Sequence, residues 1–195
     1  MKMTTTEQAH DKETVSLGFW IYLMTDCLLF ASLFATYAVL RGNVAGGATS
    51  RELFDMGFVL TETILLLTSS MTSGLALLEA RKKNKRGALL YLGITILLGL
   101  GFLAMELHEF AALAGEGHGW WTSAFLSAFF TLVGTHGLHI TAGLIWAGVL
   151  MWVLIKKGIG HTTIKRLTLF TLFWHFLDVI WIFIFTFVYA LGVLS

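Results

Sequence analysis

The chain contains no proline, one cysteine and few charges. Without proline, no helix in it is kinked by that route. The single cysteine, Cys27, excludes an internal disulfide and leaves the redox compartment unread. Because it lies within an apolar run, it is expected to be a packed, inert thiol. Charged residues are 13% of the 195, where a soluble domain carries roughly 25%. That deficit excludes a soluble domain with a large core. The sequence also lacks a convincing internal repeat and any low-complexity segment.

What fills the chain is apolar. Hydrophobic residues make up 56%, and the mean hydropathy is +0.78. The charges cluster between five long apolar runs, at about 18–40, 56–79, 87–114, 122–155 and 167–194. A membrane span needs about 20 such residues, so the fold class is all-α, a polytopic bundle of five transmembrane helices. Residues 1–17 form a polar cytoplasmic segment and 18–195 the membrane domain. The fourth run exceeds one bilayer thickness and is expected to tilt or to project beyond the headgroups. Hydrophobicity runs around each helix, as for lipid-facing helices. A barrel is excluded because no run alternates polar and apolar residues. The run after the polar start is too long for a signal-peptide core and has no small-residue cleavage pattern, so the first span is expected to stay in the membrane.

Orientation follows from Lys and Arg. Arg81, Lys82, Lys83, Lys85 and Arg86 follow the second run, and Lys156, Lys157, Lys165 and Arg166 follow the fourth. Lys2 and Lys12 lie on the same side, which leaves only Arg41 and Arg51 for the other. The N-terminus is therefore expected in the cytoplasm and the C-terminus outside. The RKKNKR run is this topology signal, not a nucleic-acid site. Trp120 and Trp121 mark the outer boundary as interfacial anchors.

Ionisable groups inside the spans are costly, roughly 2.5–3.5 kcal/mol each on insertion scales, and face protein, water or a partner. In FWHFLDVIWIFIFTFVY, His175 and Asp178 are three residues apart on one helix face and could share a neighbour. Asp26 lies eight residues inside the first run, roughly 12 Å deep. It reads either as a proton-exchanging site or polar anchor against another subunit, or as the partner of a Ser, Thr or His on a neighbouring helix. Glu62 has no evident partner and is expected to hydrogen-bond structurally. Glu106 and Glu109 share a face from which His108 points away; Glu109 is expected to reach the interface. His136 and His139 share a face but would need two more ligands to hold a metal, and a haem would need axial ligands at suitable depth and a groove to hold it. The expected role of the two histidines is polar packing or the lining of a lipid or proton-accessible cavity. Gly134, Gly137 and Gly143, with Ser70 and Gly74, are expected to let neighbouring backbones approach.

Three blocks together resemble subunit III of the haem–copper terminal oxidases. THGLHITAGLIW at 135–146 is similar to that family's HGLH segment. FWHFLDVIWIFIFTFVY at 173–189 is similar to its WHF-x-DxxW segment in the last helix. GFWIYLMTDCLLFASLFATYAVL at 18–40 is similar to its carboxylate-bearing helix, with Asp26 where cytochrome c oxidase members usually carry Glu. Glu106 in AMELHEF matches the family's Glu in the helix before the long loop. Five spans instead of seven, together with Asp26, are most like the bo-type ubiquinol oxidase branch in bacteria.

The resemblance implies an accessory subunit in a bacterial inner membrane, with haem and copper carried by subunit I and none here. It implies packing against subunit I beside subunits II and IV, bound phospholipid in a cleft, and support of assembly and proton uptake. Asp26, Glu62, Glu106, His136, His139, His175 and Asp178 are the candidate proton-exchange or lipid-cleft residues. Two rivals remain. A stand-alone proton-coupled transporter would explain the carboxylates but should show repeats and interrupted helices. A di-haem cytochrome would use His136, His139 and His175 and would absorb as haem.

Overall fold

The computed structural model describes residues 5–42, 56–117 and 119–194. Lys2 and Arg51 of the charge pattern lie outside the described residues. Five helices are long and apolar enough to cross a membrane. They are α1 (Thr5–Leu40), α2 (Met56–Arg81), α3 (Lys85–Gly115), α4 (Ala124–Lys157) and α5 (His161–Ile184). A π-helical turn, Phe185–Ala190, and a short α6, Leu191–Leu194, extend the last span. No strand occurs among the described residues.

The expected runs fall inside these helices except that the fourth helix starts at Ala124, two residues after the run begins at 122, and with two further differences. α1 is already helical from Thr5, where the sequence suggested a polar segment ahead of the span. The fifth span starts at His161, six residues before the apolar run at 167, because a helix can carry its polar first turn beyond the hydrocarbon.

Local chemistry sets the ends. α2 and α3 are separated by a tight turn in which Lys83 takes φ of 60°. Glu79 closes this turn by accepting from Lys82 Nζ at 3.0 Å and Asn84 Nδ2 at 2.6 Å. Asn84 then caps α3, its side chain accepting from the Gly87 amide at 3.3 Å. Ser123 caps α4 through the Leu126 amide at 3.1 Å. Gly158 stops α4 with φ of 71°, a conformation that costs glycine little.

α2, α3, α4 and α5 close into a ring, each packed against the next and α5 returning to α2. α1 lies outside this ring, mainly against α4. More than half of the last span is buried, against under a quarter of the first. The core accordingly centres on Phe170, Trp174, Leu177, Trp181 and Ile184 of α5. α1 turns Leu17, Met24, Leu28 and Val39 outward. Cys27 is exposed on this outward face, correcting the expectation of a packed thiol. The cause is geometric: a helix that touches the bundle along one stripe leaves most positions of an apolar run outside it.

The basic loops sit together at one end, where Lys85 Nζ donates to the Ile155 carbonyl at 2.9 Å. Trp120 and Trp121 lie exposed at the other end, edge to face at 5.5 Å.

Candidate functional site: polar groups buried along the bundle

α2 supplies most of the polar groups that the core uses. Thr63, Ser69, Ser70 and Ser73 recur at helical spacing on its buried face. Trp174 Nε1 donates to Ser69 Oγ at 2.7 Å, and Trp181 Nε1 donates to Thr63 Oγ1 at 3.0 Å. These two bonds join the antiparallel α2 and α5 in register, since both indoles must find an acceptor once buried. Thr72 and Thr95 make a third polar contact, between α2 and α3, at 2.8 Å.

His175 and Asp178 do share a neighbour. His175 Nδ1 hydrogen-bonds Ser70 Oγ and stands 3.9 Å from Asp178 Oδ2. Asp178 is buried, whereas the His175 ring is about half exposed. That ring opens on an apolar groove between α1 and α5 lined by Trp20, Leu23, Met24 and Cys27, with a volume of about 390 Å³.

His136 and His139 share a stretch of α4 but part company. His139 turns to α1, with Nε2 3.6 Å from Asp26 Oδ2 and Nδ1 donating to the Thr135 carbonyl at 2.7 Å. Asp26 thus faces a histidine of the neighbouring helix, with no hydrogen bond to its Oδ2 among the described residues. His136 turns into the ring of helices, where it is fully buried. It stacks on Trp181 at 5.2 Å and meets the Phe102 ring edge to face at 5.9 Å. Neither of its nitrogens has a hydrogen-bond partner.

Glu62 and Glu106 are also fully buried, and none of their four carboxyl oxygens is hydrogen-bonded. The structural hydrogen bond expected for Glu62 is therefore absent among the described residues. Glu109 does not simply reach the interface: its Oε2 accepts from the Tyr189 hydroxyl at 2.9 Å. Glu62, Glu106, Glu109 and Tyr189 stand within electrostatic reach of one another. His108 faces away from them, beside Phe58.

Gly134, Gly137 and Gly143 of α4 admit side chains, where the sequence suggested close backbones. A Cβ on Gly137 would lie 2.6 Å from Glu106 Oε1, and one on Gly143 would lie 2.7 Å from Trp174 Cζ3. Gly74 is the mild case, 3.9 Å from His175 Nε2.

Among the described residues, no three His, Cys, Asp or Glu side chains form a group able to hold a metal ion. The arrangement suits hydrogen bonding, helix registration and proton exchange at single groups. Tyr189, Thr63 and Ser69 escaped the sequence reading, and Ser70 was read only as a small packing residue. The seven-residue spacing of Thr63 and Ser70, two helical turns, was the available signal; for Tyr189 nothing local marks it.

The chain is similar to proteins of one kind. The family model described as cytochrome c oxidase subunit III matches residues 2–193. Cytochrome bo(3) ubiquinol oxidase subunit 3 of Pseudomonas putida is 55% identical over 95% of this chain and 90% of its own length. The Pseudomonas aeruginosa protein of the same description is 53% identical over 96% of this chain and 90% of its own. Cytochrome c oxidase subunit 3 of Bacillus sp. strain PS3 is 47% identical over 92% of this chain and 86% of its own.

Proposed function

The chain belongs to the cytochrome c oxidase subunit III family, and from that premise we propose that it is the accessory third subunit of a proton-pumping haem–copper quinol oxidase. It is a multi-pass bacterial inner-membrane protein. The complex as a whole reduces oxygen to water and conserves the energy as a proton gradient. This subunit carries no catalytic centre. Haem and copper belong to subunit I, against which it packs, with subunits II and IV as further neighbours.

One observation carries the choice of quinol over cytochrome c: both Pseudomonas ubiquinol oxidase subunits stand above the Bacillus cytochrome c oxidase subunit in identity. The latter supports cytochrome c oxidase as the second reading. A Bacillus subtilis quinol oxidase subunit 3, at 46%, falls level with it, so the donor is read from the Pseudomonas relatives alone.

The subunit's contribution is structural and lies in assembly, lipid binding and support of proton uptake. The outward apolar face of α1 offers a surface to subunit I and to phospholipid acyl chains. Asp26, His139, His175 and Asp178 lie beside or beneath that face and are the groups through which a bound lipid or a proton would be felt. The clustering of basic residues at the Lys85–Ile155 end supports a cytoplasmic N-terminus and an outside C-terminus.

The test is purification of the tagged chain from its native membrane in mild detergent. Mass spectrometry and a reduced-minus-oxidised spectrum are taken on the same eluate. Large oxidase subunits and haem signals that disappear when the chain is stripped alone are the expected result. A haem-free chain without partners would overturn the reading and return the transporter to first place.

A further inference from the structure

Three buried residues on three helices of the ring carry six polar atoms with no hydrogen-bond partner among the described residues: both oxygens of Glu62 on α2, both of Glu106 on α3, and both ring nitrogens of His136 on α4. Each residue is essentially inaccessible, at 0%, 1% and 0% exposure. Isolated orphans of this kind are rare because each gives up its hydration for nothing. Three in one region of the bundle call for a common partner.

The neighbouring groups among the described residues do not provide it. Trp181 stacks on His136, but its one N–H is already committed to Thr63 at 3.0 Å. Phe102 closes another side with its ring edge toward His136 and brings no polar atom. Phe30 of α1 faces the His136 ring at 6.4 Å and is likewise apolar. The Tyr189 hydroxyl is donated to Glu109.

The chemistry of the missing partner follows from the donor set. The two carboxyl groups and the imidazole offer mainly acceptors with at most a few hydrogens. Glu62 and Glu106 repel each other where charged, Glu109 adds to that repulsion, and His139 acts on His136. A ligand must therefore donate, accept, and be small. A metal cation is a poor fit, since no three such groups among the described residues are disposed to ligate one. Water meets each requirement, and a buried water takes two to four polar partners.

The glycine beside His136 leaves its side-chain space to the Glu106 carboxyl. Gly137 follows His136 directly, and a Cβ at that position would press on the Glu106 carboxyl at 2.6 and 2.7 Å. The buried polar groups continue toward the Trp120/Trp121 end of the bundle. Glu109 is only partly buried and lies six residues from the end of α3. It holds Tyr189 in place from the π-helical turn, the kind of irregularity often found at functional sites.

We propose that Glu62, Glu106 and His136 form an internal water-binding site sealed among α2, α3, α4 and α5, and that its water exchanges with bulk through the Glu109–Tyr189 contact at the Trp120/Trp121 end. The Asp26–His139 and Ser70–His175–Asp178 contacts are made by other residues, with His139 one helical turn from His136. The site does not depend on which electron donor the parent complex uses.

X-ray radiolysis of the chain in its native complex tests this directly, because hydroxyl radicals formed from bound water oxidise the side chains beside it. Rapid mixing into oxygen-18 water reports how fast that water is replaced. Oxidation of His136, Trp181 and Phe102 at yields comparable with the exposed Trp120 and Trp121 is expected, in spite of their burial. Gly137→Ala should depress labelling of the three buried residues and spare the exposed pair.

Glu109→Leu should slow oxygen-18 uptake at His136 by about tenfold, as expected for loss of one hydrogen-bonding waypoint. Unlabelled His136, Trp181 and Phe102 beside labelled Trp120 and Trp121 in the unaltered protein would overturn the site. Labelling with oxygen-18 uptake indifferent to Glu109→Leu would overturn the entrance. Neither result depends on the identity of the parent oxidase, so failure here is distinguishable from failure of the functional assignment.

Discussion

Asp26 of α1 and His139 of α4 face each other with 3.6 Å between Oδ2 and Nε2, and this pair ties the outermost helix to the bundle. A carbonyl only accepts, so the bond from Nδ1 to Thr135 places a hydrogen on that nitrogen and leaves Nε2 turned to Asp26. The hydroxyls of Thr25, Ser32 and Thr36 are bonded to α1's own backbone and hold nothing else. Most of α1 otherwise presents apolar side chains outward, where lipid competes with protein on equal terms.

From this contact we expect Asp26→Ala and His139→Ala to lower the thermal stability of the assembled protein by non-additive amounts. A double-mutant cycle should return a coupling of about 1 kcal/mol, in the range of neighbouring polar groups in membrane proteins. Strict additivity of the two losses would show that the pair is merely adjacent.

The α2–α5 contact is of a different kind, since Trp174 and Trp181 supply both area and a hydrogen bond. Ser69→Ala removes only the acceptor for Trp174. It should cost about 0.6 kcal/mol, the average for such bonds within a membrane. Trp181→Ala removes a fully buried indole that touches Phe102 and His136. Its cost should be about 3–5 kcal/mol. Unfolding in detergent followed for both variants should separate them several-fold; equal losses would mean that the hydrogen bond, not the packing, sets the register.

The sequence made the helices legible because hydrocarbon thickness fixes their length and the charges mark their ends. It also made His175 and Asp178 legible as one unit, since a three-residue spacing within one helix is local information. What it left open was long-range. His136 and His139 are equivalent in sequence, and only the position of α1 on one side and Trp181 on the other sends them to different partners. Glu109 looked like an interface residue until Tyr189, 80 positions later, was seen to donate to it. Cys27 was misjudged for a related reason: composition marks a run as apolar without saying which of its faces meets protein.

The charge clamp at the Lys85 end is expected to govern insertion more than stability. At the exposed end of the bundle Lys85 donates to the Ile155 carbonyl and Lys82 pairs with Glu79. Lys85→Ala alone should then change stability by no more than about 0.5 kcal/mol. Replacing Arg81, Lys82, Lys83, Lys85 and Arg86 together with Gln should instead raise the fraction of chains inserted the wrong way round. A reporter enzyme fused to the C-terminus, active only outside the cytoplasmic membrane, reads the outcome. Unchanged orientation would assign topology to the remaining basic residues of the α4–α5 loop.

Gly143 and Gly148 offer a matched comparison within one helix. A methyl group at Gly143 would stand 2.7 Å from Trp174 Cζ3 and 3.0 Å from its Cε3. Trp174 cannot retreat: its ring is fully buried, its N–H is held by Ser69, and Phe170 lies against it at 5.5 Å. Gly143→Ala should therefore overpack the core and cost about 1–3 kcal/mol. At Gly148 a Cβ meets nothing within 4 Å. There, Gly148→Ala keeps only its backbone effect and should stabilise the helix by roughly 0.5–1 kcal/mol. Opposite signs in thermal unfolding of the two variants are expected, because the same methyl group enters a fixed indole in one case and open space in the other. A loss at Gly148 equal to that at Gly143 would mean that a partner helix occupies that space in the assembled complex.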